Sequence, residues 1–296
     1  MTQTPEKLFK YCSANAAMEI LNRQSLRWSS PAAFNDPLEL GPFTAVNFDR
    51  ESLLQATIKL ASSMIFSPSA PSGDTPMINA ICRWREEDRF TDAEEAETVL
   101  RELLSKMVDQ RMQTIARLHD SWKAYARKVR VCCFCSRPDN TVAWDRFADN
   151  HSGVCFRFDS GSHATAANPK PVNYSNSRPE IANLREQLDA LLYNLPLSDT
   201  QDFEPLLLAK SLTRKPEQEW RSFRMATQPV TDENPGTWFE ERPFDAAELS
   251  AVCFGIDTSD TDRKAITEIV KTRYSAARCY QANLANGKYD LEIQKA

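Results

Sequence analysis

Glu217, Glu219 and Arg221 stand two apart in K-P-E-Q-E-W-R, and on an extended strand they share one side with Phe223. Two carboxylates and a guanidinium in one row could serve one ligand. A carboxylate can stabilise developing positive charge, and a guanidinium can hold an anion through paired N–H donors. The plainer reading is a surface ion pair between Glu219 and Arg221, worth little to stability.

Three more stretches bring chemically useful side chains together. Lys10 and Tyr11 stand side by side in K-Y-C-S, where a half-buried core tyrosine is the ordinary alternative. S-S-P-A-A-F-N-D-P-L-E carries Ser30 just before one proline and Phe34, Asn35 and Asp36 between that proline and a second. Proline fixes φ and lacks an N–H, and Asn-Asp before Pro favours a turn, so this is a rigid loop that forms either a corner or the rim of a site. W-D-R-F-A-D-N-H-S-G places Trp144, Arg146 and His151 in a polar turn between two apolar strands. Tyr11, Trp28 or Trp144 could stack on a planar ligand, and Arg146 or Arg221 could hold a phosphate.

The elements that must position these groups follow from periodicity. Residues 8–30 read as strand, helix, strand, and 50–66 as a helix. S-P-S-A-P-S-G-D-T-P is a loop. Residues 91–127 give the strongest helical signal, with Thr91 or Asp92 as cap and Val99, Leu103, Met107, Ile115, Leu118 and Trp122 as the inward stripe. Strands follow in K-V-R-V-C-C-F-C-S, G-V-C-F-R-F-D and P-K-P-V-N-Y-S. Helices are expected at about 178–194 and 202–213, and an extended segment at 215–226. The chain then gives a strand, a helix capped by D-T-S-D-T-D and a hairpin turning at Asn286-Gly287. Strands and helices are interspersed without a repeating βαβ period, so the expected class is α+β: small mixed or antiparallel sheets in a single domain, with a helical insertion at about 50–127.

Composition narrows the function classes. With 36 Lys and Arg against 41 Asp and Glu, no global basic field collects nucleic acid. No run of 18 apolar residues predicts a membrane span, and the opening M-T-Q-T-P-E-K-L-F-K lacks an apolar leader, so reduced thiols and a cytoplasmic setting are expected. Cys132, Cys133 and Cys135 alternate on a strand and have neither CxxC spacing nor a clustered histidine among His119, His151 and His163. They read as core residues, and no metal is expected. No phosphate loop, GxGxxG, GxSxG or HExxH is present.

The four blocks K-Y-C-S, I-L-N-R-Q-S-L-R-W-S-S-P-A-A-F-N-D-P-L-E, A-W-D-R-F-A-D-N-H-S-G-V-C-F-R-F-D and K-P-E-Q-E-W-R together resemble the bacterial family known as domain of unknown function 2971. They extend from about residue 8 to 226 and leave 50–127 outside. Phe147 departs from that family's usual Tyr. The opening strand, the short helix ending I-L-x-x-x-x-L and a late acid are also similar to ADP-ribosyltransferases of the DNA-modifying toxin type. That resemblance implies NAD as substrate, Glu219 as catalytic acid with Glu217 second, and a nucleic-acid or protein acceptor in a toxin or anti-phage setting. Lys10 or Tyr11 would replace the family's opening-strand His. Lys10, Tyr11, Ser30, Phe34, Asn35, Asp36, Trp144, His151 and Arg221 would then form the NAD cleft. Two other readings stand beside it: a non-enzymatic ligand-binding or sensor module, and a metal-dependent nuclease using Asp36, Glu39 and Glu219.

Overall fold

The computed structural model describes residues 5–34, 36, 39, 46–159, 165–166, 168–195, 202–231 and 234–296. In chain order the elements are β1 (Lys7–Cys12), α1 (Ala14–Arg23), β2 (Ser25–Ser29), α2 (Arg50–Phe66), α3 (Pro76–Glu86), α4 (Ala93–Lys128) and β3 (Val129–Cys135). There follow α5 (Thr141–Phe147), β4 (Val154–Asp159), β5 (Lys170–Pro171), β6 (Asn173–Ser175), α6 (Leu184–Tyr193), α7 (Glu204–Leu207) and β7 (Ala209–Ser211). The last elements are β8 (Glu219–Met225), β9 (Phe239–Pro243), β10 (Leu249–Phe254), α8 (Asp260–Arg273), β11 (Arg278–Leu284) and β12 (Leu291–Lys295). The class is α+β. The chain divides into two compact units, one of residues 1–41, 125–178 and 204–296, the other of 42–124 and 179–203. The insertion expected at about 50–127 lies largely in the second unit, which also takes in 179–203.

The first unit is built on one ten-stranded mixed sheet, larger than the small sheets expected, with β6 and β7 as a separate parallel pair. Its central strand β3 pairs antiparallel with β8 along its whole length, from Val129–Met225 to Cys135–Glu219. The other edge of β3 is shared. Strand β2 meets it at Val131–Ser29 and β1 at Cys135–Phe9. The sheet therefore opens beside Cys132–Phe134, with β1 continuing to β4, β10, β11 and β12 on one side and β2 continuing to β9 on the other.

Alternation assigns the two faces. Leu8 and Cys12 of β1 and Val154, Phe156 and Phe158 of β4 enter a core with Ala17 and Leu21 of α1 and Ile266 and Val270 of α8. The Tyr274 hydroxyl donates to Leu21 O at 2.6 Å and ties the end of α8 to α1. Ser13 caps α1 by accepting from Ala16 N–H, and Gln24 closes it in the left-handed region at φ 50°. On the opposite face Tyr11, Cys135, Cys155, Cys253 and Trp144 form a second core. All eight cysteines are free. No helix among the described residues is long and apolar enough to cross a membrane.

The second unit packs α2, α3, α4 and α6 around Leu54, Ile58, Ile81, Leu104 and Leu192. Helix α4 is started by Asp92, one of the two caps expected, whose carboxylate accepts from Glu95 N–H. Its buried stripe is Leu100, Leu104, Val108, Ile115 and Trp122. Leu103, expected inside, is 48% exposed, while Val99 and Met107 pack at the margin.

Two expected elements change and one helix is new. The polar turn at 141–147 is α5, whose N–H groups Asn140 caps through Ala143 N. The helix expected at 202–213 is only the single turn α7, followed by β7 and the 3-10 turn Leu212–Glu217, where Pro216 cannot extend an α-helix. Helix α3 forms where no helix was expected, started by Thr75 as cap and Pro76 at its first position.

Candidate functional site

The opening of the sheet carries the site. Where β1 and β2 part, the edge of β3 away from β8 lacks a strand partner, and the Lys10 ammonium donates to Cys133 O at 3.0 Å. The same ammonium lies 5.7 Å from the centre of the Phe134 ring. The half-buried lysine is held here because it satisfies a carbonyl that the opened ladder exposes.

A cavity of about 280 Å³ lies beside this opening. Phe9, Lys10 and Tyr11 of β1 form one wall, and Cys133, Phe134 and Cys135 of β3 the next. Phe34, Asp36 and Glu39 come from the proline loop, Arg146 and Phe147 from α5, and Lys210, Glu217 and Glu219 from β7 to β8. A second cavity of about 660 Å³, between α1, β1 and β2, shares Lys10, Tyr11, Arg146 and Phe147 with the first. Arg23 and Arg27 also border it.

The polar wall is a buried ion network. Lys210 Nζ lies 2.6 Å from Glu217 Oε2, 2.6 Å from Glu219 Oε2 and 3.3 Å from Glu39 Oε2. Arg221 binds Glu219 with two N–H groups, Nε at 2.8 Å and Nη2 at 3.1 Å. It also pairs with Glu39 and donates from Nη1 to Leu207 O at 2.6 Å. Arg146 Nη1 lies 3.3 Å from Glu217 Oε1, and Arg214 Nη2 donates to Asp36 at 3.0 Å. Charges this deep persist only when paired.

Two backbone features bring both glutamates to one ammonium. Gln218 is left-handed at φ 49°, so Glu217 turns back from the end of the 3-10 turn while Glu219 begins β8. The Tyr174 hydroxyl accepts from Glu219 N–H at 2.8 Å and fixes the start of the strand. Burial alone would pull the Lys210 ammonium down, but Glu219 and Glu217 outweigh it and hold its pKa above the ordinary lysine value. Burial pulls the Arg221 guanidinium down to about 9, which still leaves it charged at neutral pH. Burial, then the charge of Glu219, pushes the Cys133 thiol well above its usual value, so it stands in the wall as a neutral thiol.

The two glutamates differ in what they have left to offer. Glu219 is satisfied by the Arg221 guanidinium and Lys210. Glu217 has the Lys210 ammonium 2.6 Å from Oε2, whereas its Oε1, 3.3 Å from Arg146 Nη1, has no aligned hydrogen-bond donor among the described residues.

Of the residues expected in one cleft, Glu217, Glu219, Lys10, Tyr11, Phe34 and Asp36 line this cavity. Asn35 lies outside the described residues. Arg221 is fully buried behind the wall, with Phe34 stacked at 5.4 Å from its guanidinium carbon. Three expected contacts are corrected. Ser30 is fully buried and spends its hydroxyl capping the Pro31–Ala33 turn. Trp144 is fully buried, donates to Pro138 O and meets Tyr11 edge-on at 5.1 Å. His151 stacks on Trp144 at 6.5 Å, in a run of left-handed residues from Asp149 to His151. Trp144 and His151 thus support Tyr11 from behind instead of facing the cavity. Trp28 is also buried, under Arg224.

Lys210 was the largest omission from the sequence reading, since A-K-S carries no motif. Phe9, next to Lys10, and Phe147, inside the block that carries Trp144 and Arg146, also line the cavity. Comparison with protein-family models, with curated proteins and with solved structures finds no match.

Proposed function

We propose that the protein is an ADP-ribosyltransferase-like enzyme that takes NAD as its substrate and passes ADP-ribose to a macromolecular acceptor, a nucleic acid or a protein. One observation carries the reading: Glu217 stands in the cavity wall with Oε2 held by the Lys210 ammonium at 2.6 Å and Oε1 without an aligned donor. A ribose hydroxyl is a suitable donor to Oε1, and a carboxylate beside ribose stabilises the positive charge that builds as the nicotinamide–ribose bond breaks. Nicotinamide leaves as a neutral base, and the acceptor nucleophile loses its proton as it bonds to the ribose carbon. Phe9, Tyr11, Phe34 and Phe147 offer aromatic surface to a planar ring, and Arg146, common to both cavities, suits a pyrophosphate. The resemblance favoured Glu219 as the acid. The geometry favours Glu217 for that role, with Glu219 and Arg221 holding Lys210 in place.

The test is nicotinamide release and transfer of adenine-labelled ADP-ribose to nucleic acid and protein from a cell extract. Wild type should release nicotinamide, and Glu217→Gln should lower the rate by about a hundredfold, the loss typical of removing one charge-stabilising group. Neither nicotinamide release nor calorimetric NAD binding by wild type would end this reading.

A non-enzymatic binding module is favoured by a different observation, that Glu39, Glu217 and Glu219 are already matched by Lys210 and Arg221. It predicts saturable ligand binding without bond cleavage. The nuclease reading is not carried forward. Lys210 and Arg221 already pair with Glu39 and Glu219, and Arg214 with Asp36, the carboxylates a metal would need, and no group of three or more His, Cys, Asp or Glu among the described residues is arranged to hold an ion.

A further inference from the structure

Among the described residues of the helical unit, the half-buried Arg111 has no acidic partner. Arg111 of α4 points its Nε at the amide oxygen of Gln187 of α6, at 2.6 Å. Gln187 is 1% exposed and neutral, so it orients the guanidinium without cancelling its charge. Arg111 Nη2 is buried and has no hydrogen-bond partner among the described residues. Burial pulls the guanidinium below the ordinary arginine value, and no neighbouring acid offsets that pull. Other buried cations are met, Lys210 and Arg221 by carboxylates and Arg130 by four backbone carbonyls. Arg111 has only the neutral amide of Gln187, so an anion beside it would complete its set of acceptors.

The space beside it is suited to such a supply. Arg111 borders a cavity of about 360 Å³, enough for a small molecule. Met77, Met107 and Leu191 give it apolar surface, and Gln110, Thr114 and Asn194 add polar groups. None of the described lining residues is an acid. The first residues of α3, Thr75 to Met77, also border the cavity, so the positive end of that helix dipole adds to the charge of Arg111. Thr75 is held there by donating to Leu192 O at 2.7 Å and accepting from Ile78 N–H.

We propose that the cavity between α3, α4 and α6 binds a small oxyanion, the phosphate or carboxylate group of a small molecule, with Arg111 as its counter-ion and the apolar side chains taking the remainder. This site is separate from the cavity of the sheet unit and does not depend on what that cavity does.

Isothermal titration of the full chain with inorganic phosphate, and separately with acetate, tests it at constant ionic strength. Saturable binding of either anion, weakened at least tenfold in Arg111→Met and unchanged in Arg89→Met, is expected. The responding anion distinguishes a phosphate site from a carboxylate site. Gln187→Glu provides a second variant in case Arg111→Met does not fold. It supplies the missing carboxylate in place, so it should raise the melting temperature and abolish anion binding. Absence of saturable binding to both anions, or binding that survives in Arg111→Met or Gln187→Glu, would overturn the proposal.

Discussion

Lys210 Nζ stands 2.6 Å from both Glu217 and Glu219, which belong to different elements and leave the backbone on either side of a left-handed Gln218. One ammonium thus joins the end of a 3-10 turn to the start of β8 and, through Glu39, to the proline loop. The ion network is the wall of the cavity as well as its polar content.

Removing that ammonium leaves carboxylates buried without their partner. Lys210→Met should destabilise the protein by about 3–5 kcal/mol, the range for breaking a buried ion pair from one side. The double variant Lys210→Met with Glu217→Gln should recover part of that loss. Urea unfolding measures both. A single-variant loss under about 1 kcal/mol would show the network to be solvent-screened in solution.

The pH dependence of this contribution has a definite sign. The folded pKa of Lys210 is raised above its unfolded value. Its stabilisation is therefore fully present below the unfolded lysine pKa, about 10.4, and is lost as pH rises through the higher folded value. The stability difference between wild type and Lys210→Met should stay flat from about pH 7 to 9.5 and shrink only above about pH 10.5. Denaturation midpoints across that range decide it, and a difference that fades by about pH 8 contradicts the assignment.

The fold was legible where periodicity or a cap dominates. Ser13, Asp49 and Asp92 start α1, α2 and α4 as their side-chain chemistry requires, and the alternation in V-C-F-R-F-D divides β4 between two cores. The site was half legible. Glu217, Glu219 and the proline loop could be singled out because carboxylates, prolines and aromatics concentrate there. Lys210 could not, because its role depends on a three-residue strand with no apolar signature, in a segment whose leucines suggested a helix. Trp144 and His151 misled for the opposite reason. Their residue types suit ligand stacking, but a seven-residue helix turns Trp144 inward, and the left-handed run that follows lays His151 against it.

The part that Lys10 plays at the opened edge of the sheet gives another expectation. Lys10→Met removes the donor to Cys133 O and should cost about 1–3 kcal/mol, the penalty for a buried carbonyl left unsatisfied. Lys10→Gln, whose amide can still donate, should recover part of it. Thermal melts of the two variants separate this role from a purely electrostatic one, in which Gln would be as damaging as Met.

The turn that supports Tyr11 is held by two glycines in close contact with backbone. A Cβ at Gly255 would stand 2.0 Å from His151 O, and one at Gly153 would stand 2.2 Å from Cys12 O. The strands cannot separate to make room, because Gly255 N–H donates to Gly153 O at 3.0 Å, Asp257 N–H donates to His151 O at 3.1 Å and the Thr258 hydroxyl donates to Gly153 O at 2.8 Å. Gly255→Ala should therefore destabilise the protein by about 3 kcal/mol, the upper end of the range for overpacking a core. It should also disturb the stack of His151, Trp144 and Tyr11 that backs the cavity. Near-ultraviolet circular dichroism reads that aromatic packing directly. A Gly255→Ala protein with native stability and an unchanged aromatic spectrum would mean that this turn yields, and that Tyr11 is positioned by β1 alone.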